Sequence, residues 1–341
     1  MRGHFIVLFS LQTLCLTTTG LLAEEKTSTL DQIRSAINQA IPLIEKASAG
    51  SAEQRKCFTC HSQAVPVLAF AEAQRRGFSI DEENLERQLQ HTADHLKRGI
   101  ENYKKGKGQG GQVTSAGYAL WTLDAGNQQP DETTAAVAHY LLENQKDKDH
   151  WFRSSKRPPS SGSPFMTTYV ALRGLDYFGT EEQQERINQR KDNVSKWLNS
   201  AEPKDTEDRV FQLQAFQYTN PDKKTQQKAA TDLIDQQRKD GGWAQKSEME
   251  SDAYATGTVL TALLETGTSV DNEAVKRGIQ YLLDTQQDDG SWHVVTRAEG
   301  FQEYFETGFP HDEDQYISTA ASSWATLALL LTLPETPISE K

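Results

Sequence analysis

Long apolar runs are missing from the body of this sequence. Beyond residues 5–16, no stretch approaches the roughly 18 consecutive apolar residues of a membrane-spanning helix, so no stable span is expected there. Strict apolar–polar alternation is missing too, which removes the signature of a half-buried strand and argues against α/β and all-β enzymes. Positive charge is in deficit. With 36 Lys+Arg against 48 Asp+Glu the formal charge is −12, and such a chain repels phosphate backbones, so no nucleic-acid partner is expected. Ser-His-Asp order, a phosphate loop, an H-E-x-x-H string and a Cys-Gly-Glu-Gln thioester string are all absent. Cysteine and methionine are each down to three.

What is present begins with a targeting segment. Arg2 and His4 precede the apolar run Phe5–Leu16, followed by Thr17-Thr18-Thr19-Gly20 and Leu21-Leu22-Ala23 before Glu24-Glu25. A basic start, an apolar core and a small-residue site predict a signal peptide over residues 1–23, cleaved after Ala23, and export to the periplasm or the extracellular space. Cys15 would leave with it. The mature chain then keeps only Cys57 and Cys60, two residues apart, with His61 immediately following.

The remainder, expected to be one domain over residues 24–341, alternates two kinds of helical segment. One kind is small and apolar with aromatic insertions: 60–76, 113–125, 165–178, 209–218, 252–265 and 317–331. The other is charged with a single apolar stripe: 30–47, 82–103, 133–145, 181–198, 223–238 and 272–286. Helices apolar most of the way round are buried, and striped ones face water. Six inner and six outer segments in alternation predict an all-α, repeated architecture. Gly77, Gly126, Gly179 and Gly267 sit where inner helices would end. Asp81, Asp131, Thr180 and Asp271 sit where the following outer helices need N-caps, with Glu82, Glu132, Glu181 and Glu273 placed to favour the positive helix end. The inner set is too uniformly apolar to line a wide wet groove, which favours a closed ring over an open solenoid.

Two outer segments end in a related phrase, Gln236-Gln237-Arg238-Lys239-Asp240-Gly241-Gly242-Trp243 and Gln286-Gln287-Asp288-Asp289-Gly290-Ser291-Trp292. A weaker copy is Gln145-Lys146-Asp147-Lys148-Asp149-His150-Trp151. In each, a Gln side chain could bond backbone at a helix end while the turn returns the Trp to pack there. These phrases resemble the QW motifs of the squalene–hopene cyclase and protein prenyltransferase superfamily. Asp252-Ala253-Tyr254-Ala255-Thr256-Gly257 also resembles the opening of its inner helices. Tyr304-Phe305-Glu306-Thr307-Gly308-Phe309-Pro310, with Trp324 beyond it, looks like the closing segment of bacterial triterpene cyclases. The resemblance covers residues 110–333 and implies an α6/α6 toroid. It does not carry the activities across. The Asp-x-Asp-Asp acid of the cyclases is matched only by Asp312-Glu313-Asp314-Gln315, which lacks the last Asp. The Asp-x-Cys zinc pair of the prenyltransferases is matched by Asp252 and Tyr254, and a phenol serves zinc poorly in place of a thiolate, so no zinc is expected. Asp312, Asp314, Asp252 and Tyr254 are therefore weak catalytic candidates.

Cys57-Phe58-Thr59-Cys60-His61 matches C-x-x-C-H, the c-type haem attachment sequence. The spacing lets two thiols reach adjacent vinyl groups while the next residue offers imidazole to the iron. Similar segments stand at the head of cyclase-like toroids in exported bacterial proteins. A Cys57–Cys60 disulfide and a redox dithiol are the competing readings. For haem, His61 would bind the iron, and His311 or Met166 could supply a distal ligand. Gly108-Gln109-Gly110-Gly111-Gln112, Asp252, Tyr254, Asp312, Asp314, Gln315 and Tyr316 all precede inner helices, and so should share one mouth of the ring with Cys60 and His61. Helix N-termini gathered there would favour anionic groups such as haem propionates.

The sequence thus predicts an exported toroid bearing haem c, with a redox or small-ligand role and a redox protein or small apolar ligand as partner. A scaffold toroid with a Cys57–Cys60 disulfide is one alternative. An isoprenoid-processing enzyme using Asp312 or Asp314 as its acid is another.

Overall fold

A computed structural model describes residues 28–153, 157–300 and 303–335. The expected signal segment and Cys15 lie outside the described residues. Among these there is no strand, and no helix is long and apolar enough to cross a membrane.

The described residues form thirteen α-helices: α1 (Thr29–Gln54), α2 (Val65–Arg75), α3 (Glu82–Arg98), α4 (Ile100–Lys104), α5 (Gln112–Ala125), α6 (Glu132–Glu143), α7 (Pro164–Phe178), α8 (Gln184–Ser200), α9 (Thr206–Phe216), α10 (Lys223–Ile234), α11 (Ala253–Glu265), α12 (Glu273–Thr285) and α13 (Gln315–Leu331). The six apolar segments form the inner ring in the order α2, α5, α7, α9, α11 and α13. Each packs on the next, and α13 returns to α2. The α6/α6 toroid is therefore closed. α13 is buried continuously from Ile317 to Leu330 and α11 from Ala253 to Leu263. α8 instead buries only Ile187, Arg190, Val194 and Leu198, a helical stripe with solvent on the other side. Aromatic rings fill the middle: Trp121 meets Tyr118, Tyr169 and Trp324 at centroid distances of 5.8, 5.1 and 6.0 Å.

The end signals are mostly as expected. Asp81 and Asp131 cap α3 and α6 with their carboxylates, and Thr180 forms a capping box with Gln183. At α12 the cap is Asn272 rather than Asp271, because the Asn272 side chain reaches Ala274 N (2.8 Å) while Asp271 faces Lys276. Gly77 and Gly267 adopt positive φ, whereas after α5 that conformation falls on Asn127 and Gly126 stays at φ −82°. The sequence also places the start of the fourth inner helix at Arg209. It begins at Thr206, because Asp205 accepts from Asp208 N (3.0 Å) and draws a polar first turn indoors.

The QW phrases act as staples. Trp151, Trp243 and Trp292 each donate their indole N–H to the carbonyl ten residues upstream, on Leu141 (3.0 Å), Leu233 (2.8 Å) and Leu282 (2.8 Å). Their backbone N–H groups donate to hydroxyls of the next inner helix, on Thr168, Thr256 and Ser322. Gln237 donates to Gly241 O (2.8 Å) in its own turn and to Ala274 O (2.7 Å) in α12. Gln286 does the same to Gly290 O (2.9 Å) and to Ala36 O (2.9 Å) in α1, which joins the end of the chain to its beginning. In the weak copy the direction reverses. Gln145 accepts from Phe152 N, and Arg190 of α8 donates back to Gln145 O (3.0 Å) and Lys148 O (2.6 Å) with its guanidinium 3.8 Å from the Trp151 ring centroid.

Gln286→Ala is expected to lower stability by about 1–3 kcal/mol, the cost of leaving buried carbonyls without donors. A urea midpoint shift at constant slope would measure this, and a midpoint equal to wild type would contradict it. Gly290 and Gly267 have similar φ (+90° and +93°), but a Cβ on Gly290 would stand 2.6 Å from Gln39 O whereas one on Gly267 meets nothing. Gly290→Ala should therefore lower Tm well beyond Gly267→Ala, which carries only the left-handed strain of roughly 1–2 kcal/mol.

Candidate functional site

The C-x-x-C-H segment lies where the ring closes, between α1, α2 and α13. Residues 56–58 are held by α3: His91 Nε2 donates to Cys57 O (3.3 Å), Arg98 donates to Lys56 O, and Phe58 N donates to His95 Nδ1 (3.5 Å). Phe58 is buried beside the His95 ring. From Cys60 to Ala64 the backbone makes one π-helical turn before α2, with Gln63 N and Ala64 N both donating to Thr59 O. Such turns widen the backbone and recur at functional positions. Gln63 is fully buried and locks the turn, its Oε1 accepting from Thr59 N (2.7 Å) and Thr59 Oγ1 (2.6 Å) and its Nε2 donating to Ser51 of α1 (3.3 Å).

Both cysteines are free thiols, Cys57 exposed and Cys60 half-buried. His61 meets Tyr316 of α13 edge-on, with ring centroids 5.5 Å apart. Tyr316 in turn donates to Phe305 O (2.8 Å), and Arg55 stacks on the Phe305 ring at 4.7 Å. Burial, assisted by the Arg157 charge, pushes His61 down to about 4, so its imidazole is neutral at pH 7. Burial pushes the Cys60 thiol up despite the opposing pull of Arg157 and a bond with Ser160. Cys60 is thus a protonated thiol, not a pre-formed nucleophile.

The loop before α7 serves two sides. Arg157 and Ser160 face Cys60 and His61, while Pro158, Pro159, Gly162 and Ser163 wall a neighbouring cleft of about 440 Å³. That cleft also exposes Glu207, in the first turn of α9. Glu207 is only 5% exposed, and burial, with Asp205 next, raises its carboxyl well above the ordinary range. Burial therefore favours its protonated form. Tyr254 donates to its Oε1 (3.2 Å). Cys60, Tyr118, Glu207 and Tyr254 lie within electrostatic reach of one another, and the Tyr118 hydroxyl is buried without a hydrogen bond among the described residues. Glu207 escapes sequence reasoning because Thr206-Glu207-Asp208 reads as a solvated stretch. The usable signal was its position: the same mouth-facing turn of an inner helix that Asp252 and Tyr254 occupy.

The other expected site residues are distributed differently. Tyr254 reaches the interior. Asp252 caps α11 through Ala255 N (2.8 Å), accepts from Gln245 (3.0 Å), and is raised to about 6 by burial. Asp314 accepts from His293 Nε2 (2.8 Å) and Thr296 N (2.7 Å), tying down the loop after the last QW turn. Asp312 lies in a short 3-10 turn, at φ 45°. His311 stacks on His293 at 4.5 Å and lies 2.8 Å from Ser291 Oγ, and so belongs to the QW turn. Met166 is fully buried in α7. His61 has Tyr316, not His311, as its ring neighbour. Gln315 is a strap: its Oε1 accepts from Thr307 N (2.7 Å) and its Nε2 donates to Phe305 O (3.2 Å). The opposite mouth is tied by Arg173 to Asp124 (2.6 Å) and Arg76 to Glu72 (2.7 Å).

Residues 205–325 match the squalene-hopene cyclase C-terminal domain family. A squalene–hopene cyclase of Bradyrhizobium diazoefficiens is 37% identical over 94 residues, covering 24% of this chain and 13% of that protein. A copalyl diphosphate synthase of Streptomyces anulatus is 45% identical over 62 residues, covering 18% of this chain and 11% of that enzyme. The matched stretches thus span only a small part of these relatives. Among solved structures, the type II terpene cyclase MstE from Scytonema aligns over 89% of this chain and 99% of its own at TM-score 0.55 and 15% identity. A glycosidase variant aligns over 87% and 98% at TM-score 0.56 and 9% identity. The last two likenesses are of fold alone. With the family match and the stapled ring, they define an α/α toroid of the terpene-cyclase type. Over residues 205–325 this chain is similar to the squalene-hopene cyclase C-terminal domain, and its fold is that of the terpene-cyclase toroids.

Because the Glu207 pKa is raised on folding, its contribution is present below the unfolded carboxyl pKa and is lost as pH rises through the folded one. Glu207→Gln removes that titration with little change of shape. Its Tm relative to wild type should therefore rise as pH climbs above the ordinary carboxyl range. A difference independent of pH would contradict a raised Glu207 pKa.

Proposed function

We propose that this protein is an exported toroid that carries a covalently attached haem c and works in electron transfer or redox chemistry on a small ligand. The observation that carries the proposal is the C-x-x-C-H segment itself, set at the closure of the ring with both thiols free and His61 directly after Cys60. The donor set suits the group. Two unpaired thiols can form thioethers, a neutral imidazole can donate its lone pair, and the exposed Cys57 gives access for attachment. Export supports it, since oxidising compartments outside the cytoplasm are where such attachment takes place.

Cys57 and Cys60 would hold the group, and His61 would ligate the iron. When bound, it supplies a one-electron couple. The chain does the rest. Gln63 fixes the turn that presents Cys60 and His61, Tyr316 limits rotation of the imidazole, and Arg157 provides positive charge beside an anionic substituent. Phe58, wedged against His95, keeps Cys57 at the surface. An acid at Asp314, the isoprenoid-processing alternative, would first have to be released from His293 and Thr296.

Production in a bacterial host with haem c attachment machinery should give a periplasmic protein with a Soret band and a haem-sized mass increment that survives denaturation. Cys57→Ala combined with Cys60→Ala should abolish both. His61→Ala should keep the mass increment and shift the Soret band. A wild-type protein with a bare-chain mass and no Soret absorption would overturn the proposal, and a mass two hydrogens below the reduced chain would establish the disulfide instead.

A further inference from the structure

The cleft beside the C-x-x-C-H segment is chemically unlike a terpenoid pocket. An isoprenoid chain is held by apolar and aromatic walls, but among the described residues the only apolar side chains lining this cleft are Pro158 and Pro159. Its rim instead carries four cations from four separate loops: Arg153, Lys204, Lys246 and Arg297. The carboxylates among them are already engaged. Asp205 caps α9 (3.0 Å to Asp208 N) and Glu248 pairs with Lys246 at 3.7 Å. Four cations against Asp205, Glu207 and Glu248 leave positive charge in excess here, in a chain that is otherwise acidic.

The floor also offers a donor. Glu207 is more than nine-tenths buried and lines the cleft, with Oε1 engaged by Tyr254. Its protonated form, which burial favours, can donate one hydrogen bond to an acceptor in the cleft. At about 440 Å³ the cleft falls within the range of small-molecule sites. Cations around the rim and a donor at the floor match an oxyanion, which accepts hydrogen bonds at every oxygen.

We infer that this cleft binds a compact polar oxyanion, a carboxylate or a phosphate, gripped by Lys204, Lys246, Arg153 and Arg297 and seated on Glu207. The inference is independent of haem, since no residue of the C-x-x-C-H segment lines the cleft. It gives the toroid a hydrophilic ligand site, in contrast to the small apolar ligand the sequence suggests.

Isothermal titration of the full chain with citrate and, separately, with inorganic phosphate tests it. At least one should bind with one-to-one stoichiometry, weakening as salt rises, and the stronger of the two identifies the anion class. Lys204→Ala with Arg297→Ala should weaken it about tenfold or more, about 1.4 kcal/mol per factor of ten. Lys104→Ala, whose side chain pairs with Glu101 and Glu132 elsewhere, should leave affinity unchanged. Glu207→Gln keeps a donor and should bind within a few-fold of wild type, whereas Glu207→Leu should not. Thermal unfolding confirms that each variant is folded. Absence of heat for both anions, or equal weakening by Lys104→Ala, would overturn the inference.

Discussion

The last inner helix must reach the first for any of the site to exist. α13 packs against α11, α2 and α1, and Gln286 bonds Ala36 O across 250 positions of sequence. Apolar burial supplies most of the drive, since α13 is sealed over fourteen successive residues. Burial alone does not set register. The glutamine amide does, because its two bonds fix the distance between the turn at Gly290 and the first outer helix. With the seam closed, Tyr316 arrives beside His61, and the 303–310 segment straps over the start of α13 through Gln315 and Phe305.

The same closure creates the electrical character of the mouth. Inner-helix N-termini gather there, and groups that would be ordinary at a surface become desolvated. His61 loses its proton, Cys60 keeps its own, and Glu207 is pushed toward its protonated form beneath a rim of cations. One short loop, residues 157–163, separates the thiol site from the polar cleft and contributes side chains to both. The toroid therefore carries two adjoining features at one mouth, neither of which contains an Asp-x-Asp-Asp string.

Much of the fold was legible because the repeat writes its own pattern. Helices buried all round and helices with one stripe differ in composition, and the Gln-to-Trp spacing of six residues is a local geometric rule. Caps were legible to within a residue, failing only where Asn272 and Asp271 offer similar chemistry. What was not legible depends on tertiary placement. Thr206, Glu207 and Asp208 are polar by type and buried by position. Arg190 replaces a glutamine staple from a different helix, which no spacing rule within the turn reveals. His311 is adjacent in sequence to the last inner helix but is captured by Ser291 and His293, whereas Tyr316, named only as one of several mouth residues, proves to be the neighbour of His61.

The Gln286 staple holds the seam in which Cys60 and His61 sit. Hydrogen exchange of wild type and Gln286→Ala, followed at the amides of α1, of the turn 60–64 and of α2, tests that claim directly. Protection should fall together in all three segments while α7 and α9, across the ring, remain protected. Loss confined to α1, with residues 60–75 as protected as in wild type, would contradict it.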